Sequence, residues 1–159
     1  MLSKNLLLSI FLGLSVLYAS AQTKTLILPR PNEAPPPGNM KLLNKYFYKK
    51  GWAIDAAVGT ISKENGLQIE YSSGLNMGNF AADAIYKERR NVVWIKDQEV
   101  NNKKVLLVYL NDGRIYATFE ERTNFTSTVK TNEELTDFLI MIMTYGSKDE
   151  KGNPSKTKN

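Results

Sequence analysis

Cysteine and histidine are both absent from the 159 residues of this chain. Without cysteine, the chain can form no disulfide, has no thiolate nucleophile and offers no thiolate ligand to zinc. Without histidine, it has no imidazole for general base catalysis, haem ligation or a Ser-His-Asp triad. These two absences exclude most common enzyme chemistries. We therefore expect a protein that is not an enzyme, with no metal site and no cofactor.

Long apolar runs are also missing after the first 21 residues. The longest later runs are 105–110 and 138–143, whereas a helix that crosses a bilayer needs about 20 apolar residues. The composition is otherwise that of an ordinary globular domain, with 42% apolar residues, 23% charged residues and a net charge of +5. We expect one small domain and no transmembrane segment in the mature chain.

The first 21 residues have the three parts of a secretory signal peptide. Lys4 supplies a positive start, residues 6–17 form an apolar run, and Ala19-Ser20-Ala21 supplies the small residues that a signal peptidase accepts. The apolar run is too short for a membrane anchor, and Gly13 interrupts it. We predict a bacterial Sec signal cleaved after Ala21 and a periplasmic or secreted product. The product should not be a lipoprotein, because the chain has no cysteine.

Two segments flank the part of the chain that can build a core. Residues 29–38 hold five of the six prolines, and proline fixes φ and removes a backbone donor, so we predict an extended leader over 22–38. Residues 147–159 contain four lysines and no apolar side chain, which predicts a disordered basic tail. A single α+β domain is then expected over 39–146.

Helical periodicity is clearest near the end of the chain. Thr131 and Glu134 have the spacing of a capping box, and Gly146 suits a left-handed C-cap. Between them, apolar residues recur at the spacing of one helical face, at Leu135, Phe138, Leu139, Ile142 and Met143. Weaker patterns predict two more helices, over 40–50 and 76–88.

Strand patterns fill the rest of the domain and fix the expected fold class. The predicted strands are 52–62, 67–73, 92–100, 104–110, 114–121 and 124–130. Asn65-Gly66 predicts a tight hairpin between the first two. Residues 105–110 are apolar on both faces, which favours a central strand. We expect a single antiparallel sheet of five to six strands, with two to three helices packed on one face.

Two stretches are candidate contact surfaces for a partner. Lys87, Arg89 and Arg90 form a basic cluster close to Trp94, and Arg and Trp are frequent interface anchors. The loop 73–79 carries apolar residues that a solvated loop does not need. Its candidate binding residues are Leu75, Asn76, Met77 and Asn79. Such surfaces suit a protein or an anionic envelope component, and nucleic acid is not expected, because no strongly basic face is present and export keeps the chain away from it.

Carboxylates carry the competing interpretation, a cell-envelope hydrolase. Such an enzyme needs one acid and one base or nucleophile close together, and the candidates are Asp55, Glu70 and Asp83. Ser127 and Lys130 match the S-x-x-K pattern of acyl-serine enzymes. We exclude that pattern because residues three apart on a predicted strand face opposite sides.

Together, the patterns favour a small exported domain that acts by binding a partner. An immunity-type inhibitor of a periplasmic toxin is one specific form of this function, since it requires export, small size and no catalysis. The identity of the partner and the oligomeric state do not follow from the sequence.

Overall fold

The computed structural model describes residues 26–27, 34–120 and 122–147. The predicted signal peptide and nearly all of the predicted tail lie outside these residues. The strands are β1 (Leu26–Ile27), β2 (Leu42–Leu43), β3 (Tyr46–Lys50), β4 (Ala57–Lys63), β5 (Gln68–Ser73), β6 (Val92–Val100), β7 (Lys103–Leu110), β8 (Arg114–Phe119) and β9 (Thr123–Thr128). The helices are α1 (Phe80–Lys87) and α2 (Asn132–Ile142).

Seven strands form one antiparallel sheet in the order β3-β4-β5-β9-β8-β7-β6. Two runs of consecutive strands, β3 to β5 and β6 to β9, meet where β5 pairs with β9. α1 lies in the connection between the two runs. β1 and β2 pair separately as a short two-stranded sheet. The α+β class and the single antiparallel main sheet are confirmed, but the sheet has seven strands rather than five to six.

The additional strand, β3, lies in the segment 40–50, for which the sequence predicts a helix. That prediction is wrong. This segment forms β2, a turn in which Lys45 has a positive φ of 69°, and then β3. β3 pairs along its whole length with β4, from Tyr46 opposite Lys63 to Lys50 opposite Gly59. Tyr46 and Tyr48, two residues apart, both point to the core, so the segment also fits the two-residue period of a strand. The sheet contacts outweigh the weak helical pattern.

The two helices lie on opposite faces of the sheet, which corrects the expectation of helices on one face. α2 contributes Phe138 and Met141 to the larger core, which includes Phe125 and Ile69 of the sheet. α1 packs Ala81 and Ala84 against Val108 and Leu110 on the other side. We call the first side the core face and the second the α1 face.

Strand β7 explains why one side cannot hold both helices. Val105 and Leu107 point to the core face, while Val108 and Leu110 point to the α1 face. Both sets are buried, so this strand needs cover on both sides, as its apolar pattern predicts. The strand is not central, however, because only β6 separates it from the edge of the sheet.

Aromatic packing dominates the core face. The Phe119 and Tyr145 rings lie 4.4 Å apart between centroids, and the Phe125 ring lies 5.3 Å from Tyr71 and from Tyr145. The Tyr46 hydroxyl donates to the Asp137 carboxylate at 2.9 Å. Because Asp137 is only 3% exposed, this hydrogen bond fixes β3 against α2 inside the core.

The C-terminal helix is confirmed together with its N-cap. The Thr131 hydroxyl accepts from the amide of Glu134 at 3.2 Å. The Glu134 carboxylate accepts from the amide of Lys130 at 2.6 Å, one residue before the position that a standard capping box uses. At the other end, Gly146 has φ 75° and its amide donates to the Gly38 carbonyl at 2.7 Å. This bond joins the end of the domain to the segment before β2.

Strand β6 forms one edge of the sheet. It is nine residues long, and its register with β7 shifts between Val92 and Trp94, as at a β-bulge. Lys96, Asp97 and Glu99 are exposed along it. The bulge and the charges are features that protect an edge strand from pairing with another chain.

Candidate functional site

Two loops meet at one end of the sheet. The first, 51–56, leads into β4, and the second, 74–79, leads into α1. The Asn76 side-chain amide donates to the Asp55 carboxylate at 3.2 Å. A side chain on Gly74 would come within 3.1 Å of the Asp55 carbonyl and 3.3 Å of the Ala56 Cα atom. The loops are therefore packed backbone to backbone, and the absence of a side chain on glycine favours that close approach.

This end of the molecule exposes large apolar side chains. Trp52 is 85% exposed, Ile54 is 88% exposed and Leu75 is 86% exposed. We call these three residues the apolar tip. The Arg122 guanidinium donates to the Leu75 carbonyl, which holds the second loop against the turn before β9. Exposed apolar side chains grouped on anchored loops are typical of an interaction surface.

The two residues of the apolar tip that lie in the first loop, Trp52 and Ile54, fall within a predicted strand. The sequence pattern predicts a strand from residue 52, but β4 begins at Ala57. Trp52, the first residue of that predicted strand, is instead 85% exposed in the loop. Asp55 is exposed beside it, because its segment is a loop rather than an apolar strand.

The four candidate residues of the second loop have different environments. Leu75 and Asn76 are exposed. The Asn79 side chain caps α1 by accepting from the Ala82 amide at 2.8 Å, which explains its presence structurally. Met77 is half-buried beside Phe80 and Trp52 in a shallow hollow. Leu75 is thus the exposed large apolar side chain of this loop.

The basic candidates lie at the other end of α1. Lys87 is the last helical residue and pairs with Asp83 at 3.5 Å. Arg89 and Arg90 are exposed in the 3₁₀ turn that follows. An eight-residue helix is about 12 Å long, so this cluster is separated from the apolar tip.

Trp94 does not join the basic cluster in one surface. Its ring lies 5.5 Å from the Tyr109 ring between centroids, tilted by 37°, and both rings pack against the larger core. The side chain is half-buried on the core face, whereas α1 covers the opposite face. The structure therefore brings Leu75 and Asn76 together with Asp55, and separates them from both the basic cluster and Trp94.

The three candidate carboxylates each have a different partner. Asp55 accepts from Asn76, Asp83 pairs with Lys87, and Glu70 accepts from Gln68 at 2.5 Å. Over residues 26–27, 34–120 and 122–147, no group of three or more acidic residues is placed to hold a metal ion. Nothing in this geometry brings the three carboxylates into one cluster.

A second feature, which the sequence analysis missed, is a polar area on the α1 face. α1 covers β7 and β8, and the neighbouring strands β4, β5 and β9 present side chains that are exposed or half-buried. We call this area the open face. Its six residues are Thr60, Ser62, Gln68, Glu70, Thr126 and Thr128.

The strand register sets the open face out in straight rows. Thr60 lies opposite Glu70, which lies opposite Thr126, and Tyr116 of β8 continues this row. Ser62 lies opposite Gln68 in the next row. Residues directly opposite each other on antiparallel strands share a face. The alternation of polar residues within 60–62, 68–70 and 126–128 is the sequence signal that could have identified this surface.

Two connected depressions run over the open face. A groove of about 480 Å³ is lined by Gln68, Glu70 and Thr128 together with Arg114 of β8. A hollow of about 400 Å³ continues it toward the apolar tip, where Trp52 forms part of the lining. Glu70 and Thr126 line both depressions, so the two form one continuous surface.

The charge of Arg114 at the border of this groove is balanced locally. Its guanidinium contacts the carboxylates of Glu88 at 2.8 Å and Asp112 at 2.7 Å. Hydrogen bonds from Asn91 and then Arg114 lower the pKa of Glu88. Bonds from the backbone and then the side chain of Arg114 lower the pKa of Asp112. Both carboxylates therefore stay ionised and offset the positive charge.

Comparisons place no known protein beside this chain: searches of protein-family models, curated proteins and solved structures find no match. In the described part of the chain, no helix is long and apolar enough to cross a membrane. Inferences about function therefore depend on the chemistry of the apolar tip and the open face.

Proposed function

We propose that this chain is an exported, non-enzymatic binding module that contacts a protein or another envelope component through the apolar tip. The observation that carries the proposal is the exposure of Trp52, Ile54 and Leu75 on two loops that the Asn76–Asp55 hydrogen bond joins, the second loop being anchored as well by Arg122. Tryptophan is among the residues that contribute most to binding energy at protein interfaces.

The rigidity of the two loops supports the same function. The Asn76–Asp55 hydrogen bond and the bond from Arg122 hold the loops that carry the apolar side chains before any partner arrives. A preformed contact surface loses less conformational entropy on binding than a mobile one. Charged residues at its edge, Lys50 and Asp55, would keep the free module soluble.

The basic cluster fits the proposal as a second contact. Arg89 and Arg90 are exposed in a turn at the far end of α1, where they can meet an acidic protein or an anionic envelope surface. An immunity-type inhibitor that covers a toxin is one form of this function, since a large protein partner could span both ends of the helix. Screened surface charges of this kind affect the association rate more than the final affinity.

Export is the first part of the proposal to test. We expect protein recovered from the periplasm or the medium to begin at Gln22, because the small residues before it fit signal peptidase. Intact mass and N-terminal sequencing give the answer directly. Full-length protein that keeps Met1 and stays in the cytosol would contradict the proposed location.

The contact surface can be tested by site-specific photo-crosslinking in intact cells. A photoreactive residue placed at position 54 or 75 should give the same crosslinked partner from either site, because both belong to the apolar tip. The matched control is position 97, exposed on β6 at the edge of the sheet. Equal crosslinking from all three positions, or none from 54 and 75, would rule out the tip as the contact.

A further inference from the structure

We propose that the open face binds a neutral polysaccharide laid across β4, β5 and β9. This goes beyond the proposed function, because Ile54 and Leu75 of the apolar tip do not belong to the open face. Four of the six side chains of the open face carry a hydroxyl group: Thr60, Ser62, Thr126 and Thr128.

Hydroxyl groups match the edge of a sugar ring in a way that most surface residues do not. A serine or threonine hydroxyl both donates and accepts a hydrogen bond, as a sugar hydroxyl does. Gln68 adds two donors and a carbonyl acceptor, and the Glu70 carboxylate adds strong acceptors. Among these six residues the only charge is on Glu70, and the next charge along its row is that of Lys49, opposite Thr60 on β3.

Part of the surface is already held in position. The Glu70 carboxylate accepts from the Gln68 amide at 2.5 Å and from the Thr60 hydroxyl at 3.3 Å. These bonds join neighbouring positions on β4 and β5. A ligand that binds here does not have to order the three side chains first, which lowers the entropic cost of a weak, polar interaction.

Aromatic rings stand at both ends of the surface. Tyr116 continues one row on β8, and Phe47, which is 47% exposed, continues the other on β3. Five neighbouring strands span about 19 Å, which leaves room for several sugar rings between the two. Aromatic rings pack well against the C–H face of a sugar, and Trp52 in the adjoining hollow offers a third.

The charge balance favours a neutral polymer over a polyanion. Arg114 at the border is neutralised by Glu88 and Asp112, and Glu70 adds a negative charge to the floor. The groove is also lined by Lys130 and Glu134, which have opposite charges. A single-stranded nucleic acid needs a positively charged groove, and an extended peptide needs a free sheet edge or apolar pockets. The six residues of the open face include no cation and lie on inner strands of the sheet, so a neutral glycan is the polymer that fits best.

The test is affinity electrophoresis of the mature protein in native gels that contain amylose, mixed-linkage β-glucan or xylan, with sedimentation on chitin as a fourth probe. We expect at least one of the four to bind the protein. The double variant Thr126→Val with Glu70→Gln should weaken that binding at least about tenfold, because it removes a hydroxyl and a charged acceptor without changing shape. Phe47→Ala, at the edge of the sheet, should weaken it independently.

Two matched controls keep the result specific. Glu99→Gln makes the same charge change on β6. Ile54→Ser with Leu75→Ser removes the two side chains of the apolar tip that do not line the hollow. Both variants should bind the polysaccharide like the wild type. Thermal melts check that every variant is folded. Failure of the wild type to bind any of the four probes overturns the inference, as does unchanged binding by the double variant and Phe47→Ala.

A native gel that contains dextran sulfate tests the remaining alternative, in which the open face binds a polyanion. Retardation there alone, lost in about 0.5 M NaCl, would identify a polyanion surface and overturn the neutral glycan. Crosslinking at positions 54 and 75 is measured separately. A negative polysaccharide result together with positive crosslinking would thus reject this inference and leave the proposed function standing.

Discussion

The two faces of the same sheet differ sharply in what they bury. On β9 and β5, Phe125 and Ile69 point into the core and are fully buried. On the same strands, Thr126 and Glu70 point to the open face, where Thr126 is half-buried and Glu70 is exposed. One strand thus supplies stability on one side and a polar surface on the other, because successive side chains point in opposite directions.

This difference shows how strictly the register must be kept. A shift of one residue between β5 and β9 would put Thr126 into the aromatic core and Phe125 into water. Thr123 illustrates the precision, since its hydroxyl on the core face lies 2.8 Å from the Ser73 hydroxyl and accepts from Tyr145 at 3.3 Å. Every buried polar side-chain atom in the described part of the chain has a hydrogen-bond partner.

The largest expected contrast comes from neighbouring substitutions on β9. Phe125→Ala should lower the free energy of unfolding by about 3–5 kcal/mol, because it leaves a cavity among Tyr71, Phe119 and Tyr145. Thr126→Ala, one residue later, should cost less than about 1 kcal/mol. Urea unfolding followed by circular dichroism measures both values. Similar losses in the free energy of unfolding for the two variants would show that the two faces of β9 do not differ in their contribution to stability.

A smaller effect is expected at the hydrogen bond between β3 and α2. Tyr46→Phe removes the donor to the buried Asp137 carboxylate and should cost about 2 kcal/mol at neutral pH. The matched control is Tyr116→Phe, which removes a hydroxyl from the α1 face and should cost less. Equal losses in urea unfolding would show that the Asp137 bond contributes little to the core.

The same tyrosine makes stability depend on alkaline pH. Burial, and then the hydrogen bond and charge of Asp137, raise the pKa of Tyr46 well above its ordinary value of 10.0. Burial also raises the pKa of Tyr48 and of Tyr71. The neutral form is favoured in the folded state, so this stabilisation is complete below about pH 10 and is lost as pH rises toward the folded-state pKa. Tyr46→Phe should make the alkaline decline shallower.

Local signals were sufficient for much of the fold. Asn65, with φ 54°, forms the predicted hairpin turn, and β6 has the predicted bounds. Thr131 caps the predicted helix. Segment 40–50 went wrong because its apolar spacing fits either period, and only pairing with β4 decides between them. The side on which each helix packs is likewise set by long-range contacts.

The candidate site was less accessible to sequence reasoning. The loop around Leu75 was identified because an apolar residue between glycines is unusual in a solvated loop. Trp52 and Ile54 were missed, since an apolar run that starts with tryptophan fits a buried strand as well as it fits an exposed loop. The open face depends on three strands, and β9 is far from β4 and β5 in the chain, so no single segment reveals that alignment.

The smallest predicted losses of stability are at the N-caps of the two helices. Thr131→Ala should cost about 1 kcal/mol, because it exposes the first amides of α2, and Asn79→Ala should cost a similar amount at α1. The sheet itself also caps α1, with Asn124 accepting from the Phe80 amide and Thr118 from the Ala81 amide. A clearly smaller loss for Asn79→Ala than for Thr131→Ala in urea unfolding would show that the bonds from the sheet, rather than the Asn79 side chain, cap α1.

The bulged, charged edge strand β6 has a consequence for handling the protein at high concentration. Its outer backbone amides and carbonyls could template the addition of another molecule's strand, and the sheet could then grow into a fibril. Lys96, Asp97 and Glu99 make each such addition unfavourable through desolvation of their charges. Mutating all three to valine should therefore turn a stable preparation into one that forms thioflavin-positive aggregates, even though the folded monomer would lose almost none of its internal contacts.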